Sequence, residues 1–164
     1  MDLVIAVDDP RADDVEALLE RHLGFARAGT PPEDAHALDV EGLLDPAVTV
    51  FSARSDGALV GIGALKHLDG SHAELKSMHT RETARAQGVG GAMLDHLLPA
   101  AADQGYELVS LETGTADAFA PALALYTTAG FVPCEPFGDH HASPHSTHMT
   151  ITLDRSARSP DDQQ

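Results

Sequence analysis

Apolar residues along the chain follow two different periods, and the switch between them predicts the elements. Leu3–Val7 is a short apolar run that reads as a strand. Asp9-Pro10 has the form of an N-cap followed by proline, and Val15, Leu18, Leu19 and Leu23 fall at helical spacing, predicting a helix over residues 10–26. Gly29-Thr30-Pro31-Pro32 ends it, and residues 32–44 read as a second, shorter helix, with Leu38 set apart from a polar face of His36, Asp39 and Glu41. From Ala47 the pattern becomes strand-like. Residues 48–54, 58–67 and 72–80 form an expected three-strand antiparallel meander, joined through Ser55-Asp56-Gly57 and Leu68-Asp69-Gly70-Ser71. Helical spacing returns over 88–104 through Val89, Met93, Leu94, Leu97, Leu98 and Ala101, with Pro99 expected to kink that helix. A strand over 107–112, a helix over 118–129 (Phe119, Leu123 and Tyr126 on one stripe), Gly130 as C-cap, and strands over 131–134 and 147–153 complete the order.

Length and composition agree with one mixed α/β domain. The 164 residues are enough for a single domain, here 1–153, with the apolar-poor segment 154–164 expected to be a disordered acidic tail. Asp and Glu number 26 against 10 Lys and Arg, a formal charge of −16. Such a surface repels nucleic acid and anionic membranes, so neither is expected as a partner. The only lysines are Lys66 and Lys76, and Asp outnumbers Glu 17 to 9, a bias that adaptation to a high-salt cytoplasm also produces. No signal peptide or transmembrane run is readable, and the single Cys134 rules out an internal disulfide; a cytoplasmic protein is expected.

The segment richest in chemistry is Glu74–Thr80, followed by Arg81–Gln87 and Gly88-Val89-Gly90-Gly91-Ala92. Glycines opening an amphipathic helix let backbone N–H groups approach an anion at the positive end of the helix dipole. A dinucleotide fingerprint would need a third glycine where Met93 stands, and a nucleotide-triphosphate loop would need Lys and Ser/Thr where Ala92-Met93 stand. The loop alone leaves open a glycine-rich helix start that holds nothing.

Two motifs together narrow the choice. Arg85-Ala86-Gln87-Gly88-Val89-Gly90 resembles the Arg/Gln-x-x-Gly-x-Gly/Ala loop of the GNAT superfamily of acetyl-CoA-dependent N-acetyltransferases, and Ala122-Leu123-Ala124-Leu125-Tyr126 through Gly130-Phe131 resembles its A-x-x-L-Y-x-x-x-G-F helix. The resemblance covers residues 1–153 and is nearest to small bacterial or archaeal members of undefined substrate. It implies a mixed, mostly antiparallel sheet flanked by about four helices, with acetyl-CoA as co-substrate and no metal. It also implies acetyl transfer to the primary amine of a small molecule by direct attack in a ternary complex, and it allows a homodimer. Two other readings stay open: a non-catalytic GNAT-fold module that holds acetyl-CoA, and an enzyme acting on protein N-termini or lysines.

By the same resemblance, backbone groups of Gln87, Gly88, Val89, Gly90, Gly91 and Ala92 hold the pyrophosphate with Arg85 nearby. Met78 and Thr80 align the pantetheine, and Tyr126 protonates the departing thiolate. Glu74 is the implied general base, with packing for Tyr126 and an exposed strand carboxylate for Glu74 as the alternatives. His36, Glu112 and Asp139 are further acceptor-side candidates. Phe119 departs from the pattern, standing where many members carry Asn, so that pantetheine contact is expected either to be lost or to be replaced by Thr113 or Thr115. Alternation turns His79 away from Met78. His140, His141, His145 and His148 fit no zinc spacing, and Cys134 reads as a small core residue rather than a nucleophile.

Overall fold

The structure, a computed structural model, describes residues 2–31, 38–138 and 140–153. Seven strands form one sheet in the order β1-β2-β3-β4-β5-β7-β6. They are β1 (Leu3–Val7), β2 (Val48–Ser55), β3 (Ala58–Asp69), β4 (His72–Thr80), β5 (Leu108–Gly114), β6 (Val132–Pro133) and β7 (Ser146–Thr152). The helices are α1 (Asp13–Ala28), α2 (Val40–Leu43), α3 (Val89–Asp103) and α4 (Ala120–Ala129). Every pairing is antiparallel except β4 with β5.

The helices cover both faces. Val15, Leu18 and Leu19 of α1 pack with Val50, Leu59 and Ile62, while Met93, Leu94 and Leu97 of α3 join Tyr126, Phe131 and Met149 in the larger core. The first helix starts at Asp13, three residues later than its sequence pattern suggests, because the Asp9 carboxylate is engaged by the backbone N–H and guanidinium of Arg11. Acids at 13, 14 and 16 then occupy its positive end. Of the expected 32–44 helix, α2 is what the described residues contain, capped by Asp39 accepting from Gly42 N–H at 2.9 Å. Helix α3 runs through Pro99, and Gly130 closes α4 with φ +108°.

Two irregularities in the centre of the sheet create space. Gly63 of β3 faces both Ser77 and Met78 of β4, a bulge with Ser77 at φ +57°. A Cβ at Gly63 would come within 2.8 Å of Met78 Sδ, so a larger residue there would have to displace the Met78 side chain. Strands β4 and β5 pair over His72–Glu74 with Leu108–Ser110 and then part. No helix among the described residues is long and apolar enough to cross a membrane.

Candidate functional site

Two cavities meet where β4 and β5 separate. The larger, about 540 Å³, runs from Met78, His79 and Thr80 past Arg85, Ala86 and Gly88–Gly91 to Pro121, Ala122, Leu125 and Tyr126. Gly88 caps α3 with φ +84°, a conformation that strains any residue bearing a Cβ, and neither Gly88 nor Gly91 would bring a Cβ within 4 Å of another group. The first-turn N–H groups of α3 lack acceptors within the helix and carry its positive dipole end, which makes an anion seat. Arg85 borders this groove with its guanidinium 5.9 Å from the Phe25 ring centre. Open glycines at a helix start beside an arginine fit a pyrophosphate, and β4 backbone unpaired by β5 beyond Glu74 fits an amide-bearing arm.

The expected phosphate cradle needs one correction. Ala92 N–H donates to the Gly88 carbonyl at 3.0 Å, so it closes the first helical turn instead of serving a ligand. Gln87 turns its side-chain amide back to the Thr83 carbonyl at 3.4 Å.

The smaller cavity, about 130 Å³, is lined by His22 and Phe25 from α1, Glu74, Lys76 and Ser77 from β4, Leu111–Gly114 from β5, and Phe119, Tyr126 and Ser146. Phe25, Met78, Ala122 and Tyr126 border both spaces. Tyr126 is 7% exposed and meets Phe131 edge-on at 5.7 Å. Burial raises its phenol well above the ordinary range, so it keeps its proton at neutral pH. Phe119 fills the space beside Gly29 and Gly114 and stacks edge-on against Phe25 at 5.2 Å. Thr113 lines the small cavity, whereas Thr115 donates its hydroxyl to the Pro144 carbonyl at 2.9 Å and serves to hold the late loop.

Glu74, expected as a base or an exposed carboxylate, is buried at 3% exposure. Its Oε2 takes Lys76 Nζ at 3.1 Å and His140 Nε2 at 2.8 Å. Burial pushes its pKa up, but His140 and Lys76 together outweigh that and hold it below the usual carboxylate value. His140 Nδ1 lies 3.2 Å from Glu112 Oε2, which also meets His148 Nε2 at 2.9 Å. Glu112 and then Glu74 raise His140 to about 9 against its burial.

On the other wall, the Nδ1 atoms of His22 and His79 are 3.2 Å apart. Burial first, then mutual or nearby cationic charge, lowers each to about 4, so both are neutral at pH 7. His79 faces α1 beside His22 and Phe25, the expected direction, yet it also borders the groove.

Tertiary structure thus brings together Glu74, Glu112, Met78, Tyr126 and the glycine loop. His36 and Asp139 lie outside the described residues. Sequence reasoning missed Lys76, His22 and the entry of His140 and His148 into the site. The one available signal was the neighbouring antiparallel strands that place Glu112 opposite His148, and their register is not readable from local pattern. Cys134 is half-buried, with its thiol pushed up by burial and by Glu135, which does not make a thiolate nucleophile.

The chain matches the family model described as "Acetyltransferase (GNAT) family" over residues 13–131. It is 43% identical to a protein of Escherichia coli K12 described as uncharacterized N-acetyltransferase YedL, over 91% of this chain and 94% of that one. Among solved structures, a putative acyl-CoA N-acyltransferase from Klebsiella pneumoniae is 25% identical with a TM-score of 0.79, covering 93% of this chain and 98% of that one. A GNAT family acetyltransferase from Elizabethkingia anophelis with acetyl-CoA bound shares the fold at a TM-score of 0.69 and 18% identity, covering 92% of this chain and 98% of that one.

Proposed function

The chain belongs to the GNAT family of acetyl-CoA-dependent acyltransferases, and from that premise we propose that it acetylates the primary amine of a small molecule by direct attack in a ternary complex. The observation that carries this reading is the junction of the two cavities, where Tyr126 and Met78 border both. A thioester threaded along the groove would reach the amine there. The acceptor side is narrow, and its two carboxylates, Glu74 and Glu112, are matched by Lys76 and His140, so it carries little net charge. Its small volume suits a small acceptor better than a folded protein surface.

In this reading the first-turn N–H groups of Gly88–Gly91 and the Arg85 guanidinium hold the pyrophosphate, while the backbone of Met78 and Thr80 lies beside the pantetheine arm. The acceptor amine first releases its ammonium proton to solvent; the neutral nitrogen then attacks the thioester carbon, and its remaining N–H groups become acidic as the new C–N bond forms. Glu74, kept ionised by Lys76 and His140, takes that proton directly or through water. As the C–S bond breaks, the Tyr126 hydroxyl donates its proton to the leaving sulfur and recovers one from solvent afterwards.

Incubation of the purified protein with acetyl-CoA and a panel of small amines, followed by mass spectrometry of the acceptors, tests the activity. Coenzyme A binding without an acetylated product across the panel would reject the small-amine reading. With an acceptor in hand, Tyr126→Phe should bind coenzyme A normally and lose roughly 10²–10⁴-fold in turnover. Turnover unchanged across pH would remove Tyr126 from the role of acid.

A further inference from the structure

We propose that Glu112, His140 and His148 form a binding site for one divalent transition-metal ion of the zinc class, at the floor of the smaller cavity. Three separate pieces of chain supply the ligands: β5, β7 and the loop that follows β6. Glu112 Oε2 is 2.9 Å from His148 Nε2 and 3.2 Å from His140 Nδ1, and the three donor atoms lie within 4.8 Å of one another. Ligands about 2.0–2.1 Å from a tetrahedral zinc ion stand some 3.3 Å from each other; both carboxylate–imidazole distances lie within a few tenths of an ångström of that spacing, and the imidazole–imidazole side is at most 4.8 Å.

The surroundings are those of a metal site as well. A histidine ligand ordinarily donates its second ring N–H to a carboxylate, which fixes the tautomer and the ring orientation. Here His140 presents Nδ1 to the triangle, and its Nε2 sits 2.8 Å from Glu74 Oε2. Glu74 is itself held by Lys76 at 3.1 Å. The side chains of Glu112, His140 and His148 are 10%, 8% and 4% exposed. The Phe137 ring packs edge-on against both imidazoles, at 4.9 and 5.8 Å, giving the cluster an apolar wall. Glu112 borders the smaller cavity, so water or an acceptor group can approach as a fourth ligand. Two imidazoles and one carboxylate suit zinc and its neighbours in the first transition row, and do not suit magnesium or calcium, which take oxygen ligands. The ion would pin the late loop to β5 and β7 and shape the acceptor side.

The alternative occupant of the triangle is a proton shared among the same atoms, and direct metal titration separates the two. The probe is ZnCl₂ added to untagged, chelator-stripped full-length protein, followed by calorimetry, with CoCl₂ as a spectroscopic substitute. One equivalent should bind with submicromolar affinity, Co²⁺ should give the visible bands of a four-coordinate site, and Zn²⁺ should raise Tm. Glu112→Gln and His148→Ala should each weaken binding at least about tenfold, while the exposed neighbour His141→Ala leaves it unchanged. Glu112→Gln keeps the side-chain shape, so it carries the test if His148→Ala fails to fold. Binding weaker than micromolar, or unaltered in Glu112→Gln, overturns the proposal and assigns any zinc to surface histidines. None of these readouts uses acetyl-CoA, so their failure and a failure of the proposed acetyl transfer are distinguishable.

Discussion

The His22–His79 pair makes the stability of the region between the two cavities depend on pH in a calculable way. Their Nδ1 atoms are 3.2 Å apart, so the hydrogen bond needs one ring nitrogen protonated and the other bare. A second proton turns both nitrogens into donors and sets two like charges in contact. Burial is the largest cause of the depressed His22 pKa, with His79 and then Lys76 adding to it, and the result is about 4 against an ordinary 6.5. The folded pKa lies below the unfolded one, so this contribution to stability is fully present above about pH 6.5. It is lost as pH falls, because the unfolded chain takes up the proton first. The whole window is worth about 3 kcal/mol, of which about 2 kcal/mol is gone near pH 5. Asp8 and Asp14 have folded pKa values below their ordinary one and so titrate at lower pH, whereas His140, raised to about 9, gains stability over this same range, an opposite contribution that comparison with a His22 variant cancels. Urea unfolding followed by circular dichroism near pH 7.5, 6 and 5 measures it, with His22→Gln as the comparison. The wild type should lose up to about 2 kcal/mol more than the variant over that range, His79 leaving a residual dependence in both. Parallel curves for the two proteins would refute the reasoning and mean that His22 is solvated when the protein is folded.

Two further outcomes follow from other parts of the molecule. Gly91→Asp adds a carboxylate to the open groove without a clash and should weaken coenzyme A binding roughly tenfold or more, while Gly91→Ala binds normally; calorimetry that finds the two equal would move the phosphate seat elsewhere. Leu97→Ala removes a side chain with 0% exposure from the larger core and should cost about 3 kcal/mol in urea unfolding, and a loss under about 1 kcal/mol would mean that the core closes over the gap.

Periodicity and turn chemistry alone determined most of the fold. The meander β2–β4, the helices α3 and α4 and the Gly130 cap are local: alternation, helical spacing and a residue tolerant of φ +108° each act within a few neighbours. The glycine-opened start of α3 and the place of Tyr126 on α4 were legible for the same reason, since each lies within one short segment. Errors arose where a local signal had a rival partner, as when Arg11 took the Asp9 carboxylate from the expected helix cap. The polar heart of the site was decided only in three dimensions. Glu74 and His140 are 66 residues apart, and Glu112 meets His148 solely because β5 and β7 pair in that register. His140 and His148 fit no metal spacing along the chain, yet the path of the late loop and the strand register place both on one carboxylate oxygen. Charge follows the same division: composition sets −16 for the whole chain, but where it acts depends on which carboxylates the sheet buries and which cations and histidines it places beside them. Local sequence can specify backbone conformation, because those interactions span a few residues; contacts between distant side chains depend on register and packing, which only the assembled sheet supplies.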